Sequence, residues 1–384
     1  MWLARSKTLA WALVLLGGST VGVLAFAQWP KEPAKTDVPV AQVVGPAPPV
    51  KEGRVTDTRP EVSRVLPVAE GRVRSVAFGP EGRIAAGYYD GGGGVVVFDA
   101  RGERLRPAPL AVKEGLVTGV AFGPEGRIAA GYSVSGGGGG VVVFDARGER
   151  LRPAPLAVKE GLVTGVAFGP EGRIAAGYYD AGGRGRSGGG VVVFDARGER
   201  LRPAPLAVKE GRVTGVAFGP EGRIAAGYYD GGGVVVFDAR GERLRPAPLA
   251  VNEGSVSGVA FGPEGRIAAG YSVSGGGGVV VFDARGERLR PAPLAVKEGG
   301  VTGVAFGPEG RIAAGYYGDP GGVVVFDARG ERLLRRPAVK GGQVRSVAFG
   351  PEGRIAAGYY YDGGDGGEAN PPRAVGGVVV FDAP

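Results

Sequence analysis

The sequence predicts an all-β protein: seven blades of four antiparallel strands closed into a ring, a seven-bladed β-propeller. Three observations lead there. The phrase AFGPEGRIAAGY, first at Ala77–Tyr88, recurs intact with its tyrosine at Tyr132, Tyr178, Tyr228, Tyr271, Tyr316 and Tyr359, at spacings of 43 to 50 residues. A period of that size held across most of a chain marks a propeller or solenoid. The 77 glycines and 30 prolines punctuate the chain as all-β chains are punctuated, and the apolar residues recur in phase instead of being diluted as in disordered chains.

Each element of the repeat has its own physical justification. Val73 to Phe78 is a short β-compatible run. Gly79-Pro80-Glu81-Gly82 is a turn, because proline presets φ and glycine tolerates positive φ. Arg83 to Tyr88 is a second strand, whose small Ala85, Ala86 and Gly87 imply close packing on a neighbouring sheet. After a glycine-rich loop, Val95-Val96-Val97-Phe98 is apolar on both faces, as a strand between two layers must be. Ala100-Arg101-Gly102-Glu103 turns the chain again. Arg104 to Val112 carries Pro107 and Pro109, so it is an edge strand or a broken one.

The flanking segments differ. In residues 1–27, Arg5 and Lys7 precede an uncharged, largely apolar run from Thr8 to Leu24 and the small-x-small triplet Ala25-Phe26-Ala27. This is the pattern of a secretory signal peptide cut after Ala27, or of an uncleaved N-terminal anchor. Either way the rest of the chain is expected to be exported, to the periplasm, the cell surface or the medium. Residues 28–60 contain seven prolines without periodicity, a semi-extended linker. Within it Val50–Thr56 copies Val208–Thr214 residue for residue. Residues 61–384 form the propeller.

The last repeat stops at Phe381-Asp382-Ala383-Pro384, lacking its fourth strand. Upstream of the first repeat, Arg64-Val65-Leu66-Pro67 is similar to Arg104-Leu105-Arg106-Pro107, and Glu70-Gly71 matches Glu114-Gly115. Residues 62–69 are therefore expected to pair antiparallel with Val378–Asp382 and close the ring. An unpaired Val-Val-Val-Phe edge would otherwise expose a row of backbone donors and acceptors.

Ala77-Phe78-Gly79-Pro80-Glu81-Gly82, Ile84-Ala85-Ala86-Gly87 and Phe98-Asp99 together resemble the WD-repeat β-propeller family, whose corresponding runs are Ala-Phe-Ser-Pro-Asp-Gly, Leu-Ala-Ser-Gly and Trp-Asp. The resemblance covers roughly residues 61–384 and implies seven four-stranded blades with the first strand nearest the central channel. It breaks at the family's buried His, Ser/Thr, Asp, Trp tetrad. The chain has no histidine, Ala86 stands for the Ser/Thr and Phe98 for the Trp. Without the tetrad, the blades are expected to be held by apolar packing and backbone ladders alone.

Composition narrows the function. No cysteine and no histidine means no disulfides, thiolate nucleophiles, histidine bases or ordinary zinc sites. The net charge is +8, but signs are interspersed: from Gly79 to Phe122 five basic residues face five acidic ones. That is a solvated surface and not the clustered basic face of a nucleic-acid binder. Near-identical blades offer rings of one residue and not different groups converging on one reacting atom, so no enzyme is expected, a two-carboxylate hydrolase being the less favoured exception. No cofactor is expected. The stretch Asp362 to Glu368 lacks the spacing of a calcium loop.

Individuality is expected in one connection, the loop after the second strand, which leaves the ring on the same face as Lys113-Glu114-Gly115. It carries Arg184 and Arg186 in the third repeat, and Asp362, Asp365, Glu368 and Arg373 in the seventh. All 13 tyrosines lie at its root. The tyrosine found in every repeat is expected to pack between blades. The additional Tyr89, Tyr179, Tyr229, Tyr317, Tyr360 and Tyr361 are the candidates for a binding face. The expected function is an exported, non-catalytic scaffold binding a protein partner through that face; the alternative is a multivalent glycan-binding propeller.

Overall fold

The computed structural model describes residues 62–90, 92–180, 188–318, 320–337, 342–361 and 376–382. The segments expected to be a leader and a linker, and Arg184, Arg186, Asp362, Asp365, Glu368 and Arg373, lie outside the described residues.

Seven four-stranded antiparallel sheets form the molecule, six of them running in chain order from an inner to an outer strand and the seventh taking its outer strand from ahead of the first blade. In the first blade the strands are Arg72–Phe78, Ile84–Tyr89, Gly94–Phe98 and Leu110–Ala111. Neighbouring blades meet through their inner strands all the way round, the first against the seventh as well as the second. The core lies in the joints: one apolar cluster per joint, drawn from two blades at once. The small second strand is a consequence. A Cβ on Gly87 would come within 2.7 Å of the Cγ1 atoms of Val117 and Val120 in the next blade.

The ring closes as expected. Val62–Val68 lies antiparallel on the last strand, Gly376–Asp382, with Leu66 opposite Val378 and Val68 opposite Gly376. The detailed correspondence needs correction. Leu66 takes the place of Leu110 and Arg64 that of Arg106, since Leu66 and Arg64 lie against Gly102 as Leu110 and Arg106 lie against Gly148. The closing strand thus omits the Pro-Ala-Pro excursion and runs unbroken, whereas five blades have outer strands of only two or three residues.

Both repeated turns solve a local problem. At the first, Arg83 N–H donates to Pro80 O at 3.1 Å, with Glu81 at φ 58°, ψ 23° and Gly82 at φ 72°. These are the positive-φ central residues of a type I′ hairpin turn. A glutamate therefore sits in left-handed backbone in all seven blades, at φ 56–58°. At the second turn, Asp99 Oδ1 accepts from the N–H groups of Arg101 at 2.9 Å and Glu103 at 2.8 Å. The aspartate of the Phe-Asp pair is a turn staple.

The blades are not joined by apolar contact alone, contrary to the expectation. Arg104 of the first blade holds Glu70, in the connection from the closing strand, through Nη1–Oε1 and Nη2–Oε2, both 2.7 Å. The same clamp recurs as Arg150–Glu114, Arg200–Glu160, Arg243–Glu210, Arg288–Glu253 and Arg332–Glu298, at 2.5–2.6 Å. On the opposite face Arg106, Arg152, Arg202, Arg245 and Arg290 each donate to a carbonyl in the next blade's second turn. Each residue lies 33 or more positions from its partner in the clamps, so a pass along the chain misses them.

Candidate functional site

The two faces of the ring differ. On one emerge the Pro-Glu-Gly and Asp-Ala-Arg-Gly turns, nearly identical from blade to blade. A cleft of about 500 Å³ opens there between the first and second blades, lined among others by Arg83, Asp99, Arg106, Phe122 and Arg147. Its polar wall includes the Arg106–Arg147 contact that joins those blades, so it is a joint.

On the other face the tyrosines divide as their position in the strand dictates. The repeated ones are buried, from Tyr88 through Tyr359, none more than 6% exposed. Burial pushes the Tyr178 and Tyr359 hydroxyls up to about 12, with the carboxylate of Glu160 adding to the first and Tyr361 to the second. The additional tyrosines have no common environment. Tyr229 and Tyr317 are exposed, at 46% and 41%. Tyr89 and Tyr179 are half-buried. Tyr360 is buried, and Tyr361 stands edge-on to Tyr359 at 5.6 Å.

The structure gathers two of the candidate tyrosines at one place, the joint between the seventh and first blades. Tyr89 and Tyr360 meet edge to face at 6.4 Å. Arg72 lies over both rings, at 5.4 and 5.7 Å, Arg74 over Tyr89 at 5.9 Å and Arg345 over Tyr360 at 4.9 Å. Arg345 Nη2 also donates to the Tyr360 hydroxyl. Asp90 Oδ2 accepts from Arg72 N and Nε, at 3.2 and 3.1 Å. Desolvation raises the Tyr89 pKa, while Arg72, Arg74 and Arg345 all act on the ring in the opposite sense. The carboxylate of Asp90 is the largest reason that Arg72 is held more firmly protonated than an ordinary arginine.

The arginines are here because two blades break the repeat at the inner strand, a departure the sequence reading missed in confining individuality to one loop. At the position of Arg74 and Arg345 the other blades carry Thr118, Thr164, Thr214, Ser257 and Thr302, each followed by glycine; after Arg74 and Arg345 comes Ser75 and Ser346. The hydroxyls of Thr214, Ser257 and Thr302 reach a carbonyl of the next inner strand at 2.6–3.1 Å. Where arginine replaces them, the following serine supplies the link instead: Val76 N–H donates to Ser346 Oγ at 3.2 Å and Val120 N–H to Ser75 Oγ at 3.0 Å. Moving the hydroxyl one residue along keeps an inter-blade hydrogen bond and releases the preceding position to present a guanidinium. The readable signal was the pair Arg-Ser in place of Thr-Gly in only two repeats.

The fourth blade supplies a contrast. Arg212 lies over Tyr229 at 4.7 Å and is held by Asp230 through Nε–Oδ2 at 3.1 Å and Nη2–Oδ1 at 3.0 Å, with Thr214 at the inner position. Its arginine is matched by one carboxylate, which is held below its ordinary pKa by the Arg212 hydrogen bond. No family model matches the chain, and no curated protein is detectably similar to it.

Proposed function

We propose that the protein is an exported, non-catalytic scaffold of WD-repeat type that binds a protein partner on the face carrying the variable loops. One observation carries the reading: a rigid ring keeps one face uniform and concentrates its departures from the repeat on the other. Binding residues are commonly placed in loops on such scaffolds. The leader pattern of residues 1–27 supports export. Among the described carboxyls with a shifted pKa, Glu70, Glu114, Asp230 and Glu253 are all lowered by arginine partners. A glycosidase needs a carboxyl raised to act as an acid, so these groups favour a non-catalytic role.

The lectin alternative calls for equivalent exposed aromatic faces around the ring. Only Tyr229 and Tyr317 among the additional tyrosines are exposed, and an arginine lies over Tyr229. That favours a protein partner. Capture of envelope proteins with the full chain, in parallel with a glycan array, tests the reading. A specific protein lost on shortening 362–375 supports it. Binding to neutral glycans on the array that Tyr229→Ala and Tyr317→Ala abolish, with no protein captured, overturns it.

A further inference from the structure

We propose that the joint of the seventh and first blades is a binding site for an acidic peptide segment, whose carboxylates are received by Arg74 and Arg345. The proposal rests on the scaffold reading above and names the chemistry of its partner. Three guanidiniums stand around two tyrosine rings, and the one carboxylate among their described contacts, Asp90, is taken up by Arg72. Arg74 is exposed and its described contact is the face of Tyr89. Arg345 spends one Nη2 bond on Tyr360, and its buried Nε has no hydrogen-bond partner. Two cations side by side at one joint repel each other, and the five other blades avoid this with threonine or serine. An anionic ligand removes the repulsion. Guanidinium forks match carboxylates in two-pronged geometry.

Peptide is favoured over acidic sugar because the aromatic faces here are occupied. Tyr360 is 4% exposed, and both rings are covered by guanidiniums, so neither offers a free face for a sugar ring. The site reads charge and shape. It lies at the end of the inner strands, on the same face as the variable loops.

The test uses the full chain and fluorescein-labelled hexaglutamate, followed by anisotropy at low salt, with hexaglutamine as the neutral probe. Hexaglutamate should bind and hexaglutamine should not, and binding should weaken steeply with added salt. Arg74→Thr and Arg345→Thr install the residue most other blades carry, so both should fold. Each should weaken binding about ten-fold, the size expected for losing a charge-assisted hydrogen bond. Arg212→Leu in the fourth blade should change nothing. Equal binding by wild type and by the Arg74→Thr/Arg345→Thr double variant overturns the proposal. So does binding that appears only after residues 362–375 are deleted, because the cluster would then be matched from within the chain. Tighter binding of polygalacturonate than of hexaglutamate reassigns the site to an acidic glycan and also overturns it. A captured partner that the double variant still holds sinks this site and leaves the scaffold reading standing; no captured partner sinks the scaffold reading itself.

Discussion

Arg104 grips Glu70 with both ends of its guanidinium, and through that grip the first blade holds the strand that closes the ring. The two Nη–Oε distances are both 2.7 Å, and Arg104 Nη2 also reaches Pro67 O at 3.5 Å. The pair stands beside Tyr88, whose hydroxyl is raised by burial first and by Glu70 second.

Breaking one clamp should destabilise the ring modestly. Arg150→Ala leaves Glu114 half-buried without its partner, and a loss of about 1 kcal/mol is expected, since the pair is bidentate yet about a quarter exposed. The clamps also set an acid limit. The Arg104, Arg150 and Arg288 hydrogen bonds lower Glu70, Glu114 and Glu253 from the ordinary value of 4.5. A depressed carboxyl pKa contributes stability that is fully present above the unfolded value and is lost as pH falls through the folded one. Denaturant melts should therefore hold steady down to about pH 4.5 and fall below it. Glu114→Gln should flatten that fall; an unchanged slope would show that the clamps do not govern acid stability.

A missing clamp can be added. In sequence Gly341 occupies the place of the glutamate at the joint of the sixth and seventh blades, and Val62, paired with Phe381 as Arg104 is with Phe98, occupies that of the arginine. Both members are absent together. Gly341→Glu with Val62→Arg should stabilise by up to about 1 kcal/mol beyond the sum of the single changes. A double-mutant cycle from urea melts measures this coupling, and zero coupling would show that the joint cannot host the pair.

The first turn is open to improvement. Glu81 sits at φ 58°, where a non-glycine side chain is strained. Its ion pair with Arg83, 3.0 Å long with the glutamate 78% exposed, returns little. Glu81→Gly or Glu81→Asn should raise stability by about 0.5–1 kcal/mol, and the equivalent changes in distant blades should add. Thermal melts of one-, two- and three-site variants check both the sign and the additivity.

Closure depends on the strand that precedes the first blade. Leu66 is 2% exposed in the joint of the seventh and first blades, so Leu66→Ala should cost about 2–4 kcal/mol. Deleting residues 61–69 should go further: it uncovers the Gly376–Asp382 edge and promotes self-association. Light scattering reads the association, and a monomer with an unchanged melting temperature would show that closure does not need this strand.

Much of the fold was legible because its determinants are local and repeated. Pro-Glu-Gly sets a turn wherever it occurs, Val-Val-Val-Phe reads as a doubly covered strand, and prolines break the outer strand in the blades that carry them. The orphan strand could be found because the last repeat lacks one. Its residue-by-residue correspondence could not, because Arg64 resembles Arg104 in sequence and occupies the place of Arg106 in space. Of the candidate site, Tyr89 and Tyr360 stand out in the sequence as tyrosines added to the repeat, whereas Arg72, Arg74 and Arg345 come from the two ends of the ring and meet only when it closes.

The sequence by itself determined the number of blades, the order of strands and the route of closure, since hydrophobic period and turn chemistry act over a few residues and the repeat states them seven times. Only the tertiary structure decided which charges meet. Val76 and Ser346 are 270 positions apart yet share a hydrogen bond, because closing a ring sets its last blade against its first. The same closure brings Arg345 beside Arg72 and Arg74. Such contacts depend on the geometry of the whole circle, which no window along the chain contains.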